Sequence, residues 1–247
     1  MDDDIVSEHR RALLRAGCAV GAAAGIAGVA FATSGRVMAK DPDEKQGGKV
    51  TANEDLMREH GVIRRALFVY VEAGRRARTQ PSSLPLPALL ETARLFRSFA
   101  EDYHERSLEE AHIFPQVRKL QGPVAKLPDV LVEQHRRGRE ITGYVLQIAS
   151  GRSLSAADAP RLAGTLDALV AMYGPHAARE DTVLFPAWKA ALGPDRYAEM
   201  GEKFEDIERR QFGHDGFDDA VKTIARIEVQ FGLSDLAKVT APPPPQT

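Results

Sequence analysis

The chain has 247 residues, 43% of them hydrophobic and 28% charged, a composition suited to a soluble globular core. Lys+Arg 33 against Asp+Glu 35 leaves a net charge of -2, so there is no long-range field to hold nucleic acid or an anionic membrane surface. The single cysteine, Cys18, excludes an intramolecular disulfide and a cysteine-rich zinc site, so any metal must sit on histidine and carboxylate.

Residues 1–39 read as a signal peptide. Arg10-Arg11-Ala12-Leu13-Leu14-Arg15 resembles a twin-arginine export motif, an Ala- and Gly-rich apolar run spans Ala16 to Ala32, and Val37-Met38-Ala39 is a small-residue cleavage site. The acidic start Asp2-Asp3-Asp4 departs from a simple basic leader, and a cytosolic tail or an uncleaved anchor are the alternatives. The export reading predicts a periplasmic or otherwise exported protein with no membrane embedding after cleavage. A polar stretch, 40–51, reads as a linker.

Four helices are predicted over 52–192. The first, from about Ala52 to Arg78, carries Leu56, His60, Ile63, Leu67 and Tyr70 at steps of three and four. The second follows "PSSLPLP" with Leu89, Ala93, Phe96, Ala100 and His104 on one stripe. "QGPVAKLP" breaks the chain, and the third helix carries Leu131, His135, Thr142 and Val145. After "GRSLSAADAP", with Ser155 as an N-cap, the fourth has Leu162, Leu166, Leu169, Tyr173, His176, Glu180 and Leu184. An accessory C-terminal helix is predicted over 193–233, and 234–247, ending in "APPPPQT", reads as a disordered tail. No segment alternates with period two, so the fold class is all-α: an antiparallel four-helix bundle with an additional helical segment.

The bundle looks internally doubled. Each half has a helix with one early histidine, His60 or His135, followed by a helix with a histidine and glutamates that runs into Ile113-Phe114-Pro115 or Leu184-Phe185-Pro186. One core-facing histidine per helix is the central observation. A single buried histidine is usually a hydrogen-bonded structural residue, but four on facing stripes, with Glu180 four residues after His176, point to a shared centre. Buried carboxylates need cations, and no lysine or arginine lies on those stripes. Imidazole and carboxylate from four helices suit iron or manganese.

Over roughly Asp55 to Trp188 the chain resembles the hemerythrin-like, or HHE cation-binding, proteins. The resemblance rests on His60, the His104-Glu105 and Glu109 cluster, Glu133-Gln134-His135, and His176-Ala177-Ala178-Arg179-Glu180. It implies a non-haem, carboxylate-bridged di-iron centre with His60, His104, Glu105, Glu109, His135, His176 and Glu180 as metal ligands. Glu105 and Glu109 are the expected bridges. Two positions depart from the family's pattern. The glutamate expected four residues after His104 is replaced there by Leu108, and Glu109 is one residue late; a π-bulge would bring it back into line, whereas pairing Glu105 with Glu109 would turn His104 away. Arg139 stands where oxygen carriers have a second histidine on the third helix. That loss makes a sensor, scavenger or redox protein a better fit than an oxygen carrier, acting on a diatomic gas, a small redox molecule or iron itself. A di-iron oxidase or peroxidase and a mononuclear-metal or metal-free partner-binding bundle are the competing classes, and the oligomeric state is left open. His112 is read as surface or as support for the site, His214 as a loop residue, and Tyr103 and Tyr173 as core residues able to line the site.

Overall fold

The computed structural model describes residues 50–245; the signal-peptide reading and nearly all of the predicted linker lie outside them. The chain divides into Met1–Gly47 and Gly48–Thr247, and all the described helices belong to the second unit. Among the described residues there is no strand. No helix there is long and apolar enough to cross a membrane.

Helix α1, Ala52–Thr79, starts at a capping box in which Thr51 accepts from the Glu54 amide and Glu54 reaches back to the Thr51 amide. The helix therefore begins where a side chain first satisfies its orphan donors. Helix α2 begins as α over Leu86–Leu95, passes into a π-helical stretch, Phe96–Ile113, and returns to α in Phe114–Val117. Helix α3 is Leu127–Ala149. Helix α4 runs through Asp158–Arg179, a π turn at Glu180–Leu184, and Phe185–Leu192. Its N-cap is Ala157, not the expected Ser155, although the Ser155 hydroxyl accepts from the Asp158 amide at 3.0 Å.

These four pack as a square, α1 against α2, α2 against α3, α3 against α4, and α4 against α1. Every residue of the predicted stripes, from Leu56 on α1 to Leu184 on α4, is buried. The apolar ones drive the packing, since burying each large side chain contributes about 1.5–3 kcal/mol.

The two Phe-Pro motifs do not end their helices. Pro115 and Pro186 sit in the first α turn after each π stretch, and the chain stays helical to Val117 and Leu192. A π-to-α junction leaves an amide without its usual i-4 carbonyl, so a residue with no amide hydrogen fits there without loss.

The C-terminal segment is two helices, α5 (Pro194–Phe212) and α6 (Gly216–Phe231), rather than one. Gly213, at φ 78, caps α5 in the left-handed region, and Asp215 caps α6 by accepting from Asp218. Helix α6 lies against both α1 and α2, with Ile224, Ile227 and Phe231 buried. Arg65 forks onto Glu228 at 2.8 and 2.5 Å, and Arg76 donates to the Phe231 carbonyl at 2.7 Å. Helix α5 is anchored to α4 by Trp188, which stacks on Phe204 and meets Tyr197 edge-on. A helical turn, Leu236–Val239, follows α6 within the stretch expected to be a tail.

Candidate metal centre

The π-helical stretch of α2 decides the geometry of the site. With i to i+5 hydrogen bonds, such as Phe114 N–H to the Glu109 carbonyl, residues five apart share a face. The Ser107 hydroxyl supports the widened coil by donating to the Asp102 carbonyl at 2.8 Å. His104 and Glu109 therefore both point inward, with Nε2 and Oε1 3.4 Å apart. On α4 ordinary helical spacing suffices, and His176 Nε2 lies 3.1 Å from Glu180 Oε2.

Six side chains meet inside the bundle. His60 and His104 bring their Nε2 atoms to 3.0 Å, and His135 and His176 bring theirs to 3.2 Å. Two carboxylates join the pairs. Glu109 reaches His104 with Oε1 and His135 with Oε2, both at 3.4 Å, while Glu180 Oε2 lies 3.1 Å from His176 and 3.5 Å from His60. All six residues are 5% exposed or less.

Each histidine is held from behind by its Nδ1. His60 donates to Asp181 at 2.7 Å, His104 to Glu59 at 2.5 Å, His135 to Glu110 at 2.9 Å and His176 to the Gln134 side-chain carbonyl at 2.8 Å. These bonds fix the tautomer, with the proton on Nδ1 and the lone pair of Nε2 directed inward. Phe114 and Phe185, from the two Phe-Pro motifs, stack on His135 and His60 at centroid distances of 5.5 and 5.6 Å. Ring rotation is blocked on that side as well.

The donor set fits a pair of cations. Lone pairs of two imidazoles facing each other at about 3 Å repel unless a cation lies between them, and two nitrogens each about 2.1 Å from one ion stand about that far apart when cis. None of the four oxygens of Glu109 and Glu180 accepts a hydrogen bond, although all are buried. An orphaned buried carboxylate costs several kcal/mol. Two groups of three ligand atoms, His60-His104-Glu109 and His135-His176-Glu180, are each compact enough to hold one ion.

Without an ion, the carboxylates around His60 and His104 favour a proton on those rings. Burial opposes charge on His60, but Asp181 and Glu180 outweigh it and raise its pKa. Burial opposes charge on His104 too, and Glu109 and Glu59 raise its pKa well above the usual imidazole value. Burial would raise Glu180, yet His176 and His60 hold it well below the carboxylate range.

Glu105, expected as a bridge, faces elsewhere. Tyr173 donates its hydroxyl to Oε1, Arg139 lies 3.2 Å from Oε2, and the nearest His135 nitrogen is Nδ1, at 3.9 Å. Glu180, not Glu105, is the second carboxylate that lies between the two histidine pairs. Glu105, Glu110 and His135 form a third group of ligand atoms, but the Arg139 guanidinium already serves both carboxylates there. The residue that replaces a histidine of the oxygen carriers thus supplies a cation in its stead. Burial raises the pKa of Glu105 well above the carboxylate range, and burial with the facing Glu105 pushes the Tyr173 phenol well above its own ordinary value.

Sequence reasoning missed Glu59, Glu110, Gln134 and Asp181 as the Nδ1 acceptors. Each is the chain neighbour of a ligand and serves a histidine on another helix: Glu59 beside His60, Glu110 beside Glu109, Gln134 beside His135, Asp181 beside Glu180. Neighbouring helical residues diverge by about 100°, so one faces the centre and the other the adjacent helix. The readable signal was the paired polar residues in otherwise apolar stripes. His112 instead lies by Phe204 and Lys203 of α5, and His214, between α5 and α6, pairs with Asp219.

Tyr173 is placed by a glycine. A Cβ on Gly138 would stand 2.7 Å from the Tyr173 hydroxyl and 3.1 Å from its ring. Gly138→Ala is expected to push the phenol off Glu105 and lower stability by about 1–3 kcal/mol, the usual cost of overpacking. Denaturant melts measure the loss; an unchanged midpoint would show that the ring moves aside freely.

Comparison with known proteins agrees with this geometry. Uncharacterized proteins of Mycobacterium bovis and of two Mycobacterium tuberculosis strains are each 43% identical over 203 residues, covering 81% of this chain and 78% of theirs. No solved structure matches the chain. The model of the hemerythrin HHE cation binding domain matches residues 51–188, the span that contributes all six inward-facing side chains and all four Nδ1 acceptors. The chain belongs to the hemerythrin HHE cation-binding domain family.

Proposed function

We propose that the chain is an exported protein holding two iron ions, one on His60 and His104 and one on His135 and His176, bridged by Glu109 and Glu180. It handles or senses a small molecule such as oxygen or nitric oxide, or the redox state itself. The observation that carries this reading is the pair of carboxylates, each spanning two histidine pairs and accepting no hydrogen bond. Such a pair of ions supplies one-electron redox change and a place for a small ligand.

The protein's own contribution is positional. Four Nδ1 bonds hold four lone pairs on the centre, and Phe114 and Phe185 stack on two of the rings. Ligand burial at 5% exposure or less admits a molecule of two or three atoms far more readily than an organic substrate. Beside the centre the Tyr173 phenol and the Arg139 guanidinium keep the Glu105 carboxyl turned away from the ions. Export is supported by Arg10-Arg11 and Val37-Met38-Ala39; a route that moves folded proteins lets iron be inserted before exposure to metals that bind nitrogen and oxygen ligands more tightly.

Elemental analysis and the optical spectrum of the full chain test the assignment. Two irons per chain with visible absorption from the ferric pair are expected. Saturation at one ion, or stoichiometric zinc with no visible absorption after growth in iron-replete medium, would overturn it.

A further inference from the structure

The two halves of the bundle repeat several of one another's contacts. His60 and His135 each have an arginine four residues on, Arg64 and Arg139, and that arginine grips the carboxylate behind the same histidine, Asp181 or Glu110. Phe185 stacks on His60 as Phe114 stacks on His135. The residue before each of these histidines turns to the neighbouring helix and accepts from the Nδ1 of the other histidine of the pair. Glu59 does this for His104 and Gln134 for His176.

Here the repeat breaks in charge. Glu59 is a buried carboxylate, 1% exposed, with which no arginine or lysine pairs among the described residues. Gln134 offers a neutral amide oxygen in the equivalent place. A carboxylate behind an imidazole draws the Nδ1 proton toward itself and makes Nε2 a stronger donor, whereas an amide does so weakly. Glu105 does not make up the difference, since it serves Tyr173 and Arg139 and makes no bond to His176.

We infer that the two metal positions are inequivalent: the position on His60 and His104 loads first and holds its ion more tightly, and the position on His135 and His176 loads second and exchanges more readily, because Gln134 stands where the other half has Glu59. The inference rests on the dinuclear reading of the centre. It makes the His135–His176 ion the one that is lost first under metal limitation and the one more readily replaced by another divalent metal.

Cobalt(II), added to the metal-stripped full chain and followed by calorimetry and visible absorption, tests it. Two steps separated by about 10-fold or more in affinity are expected, the scale on which outer hydrogen-bond partners act. Gln134→Glu should tighten the second step by about 10-fold and draw the two together; Glu59→Gln should weaken the first by a similar factor. Opposite shifts on different steps are not what a general loss of packing produces. Gln134 is half-buried and differs from glutamate by one atom, so that variant keeps its fold. Two ions bound in a single unresolved step, or a Gln134→Glu chain whose second step does not move, overturns the inference and leaves the dinuclear centre standing. Saturation at one cobalt overturns both.

Discussion

Glu109→Gln is expected to cut metal loading from two ions per chain to one or none. The reason is that both Glu109 oxygens are buried and accept no hydrogen bond, while each lies 3.4 Å from an imidazole nitrogen of a different pair. With ions present that carboxylate neutralises charge on both, and an amide of equal size does not. Outer partners of a metal site are worth about 10–100-fold in affinity, so loss of a bridge should cost at least about 100-fold. Glu105→Gln is the control, since that carboxylate faces Tyr173 and Arg139, and it should keep two ions. Full loading of the Glu109 variant, or loss of both ions in the Glu105 variant, would reverse the assignment of the bridge.

The contrast between those neighbours on α2 shows what a sequence discloses. The four apolar stripes and their histidines were readable because burial imposes a period of 3.6 on a helix, and every stripe residue is buried in the structure. The late position of Glu109 was readable as an insertion needing a π-bulge. Its extent, Phe96–Ile113, was not, nor was the second π turn at Glu180–Leu184. A π coil depends on what tertiary packing and the site demand of a helix whose local propensities are ordinary. Glu105, expected as a bridge, instead meets Tyr173 and Arg139, which come from α4 and α3, and one helix's spacing says nothing about what faces it. The Nδ1 acceptors were hidden in the same way. The break between α5 and α6 left a local signal in Gly213-His214-Asp215-Gly216, since a glycine at φ 78 ends a helix wherever it falls.

Removing the metal should destabilise the chain by about 4 kcal/mol when free ion stands about 1,000-fold above its dissociation constant, and the loss should grow as pH rises. For a domain of this size that is roughly a 10 °C fall in melting temperature. The pH dependence comes from the ion-free site. The pKa values of His60 and His104 are raised by their carboxylate neighbours despite burial, so they stabilise the ion-free fold fully below the unfolded value of 6.5 and lose that contribution as pH rises through their folded values. Glu180 is held low by His176 and His60 despite burial, so its contribution is present above the unfolded value of 4.5 and is lost only as pH falls through its folded value. Between 4.5 and 6.5 both of these contributions are in place. Metal binding runs the other way. It needs neutral Nε2 atoms and displaces the protons that His60 and His104 hold, so affinity rises with pH over the range in which the ion-free fold weakens. Thermal melts of loaded and stripped protein from about pH 6 to 8 should diverge, and metal added to lightly buffered stripped protein should release protons. Parallel melting curves with no proton release would show that His60 and His104 give up no protons when metal binds, and would overturn this account of the pH dependence.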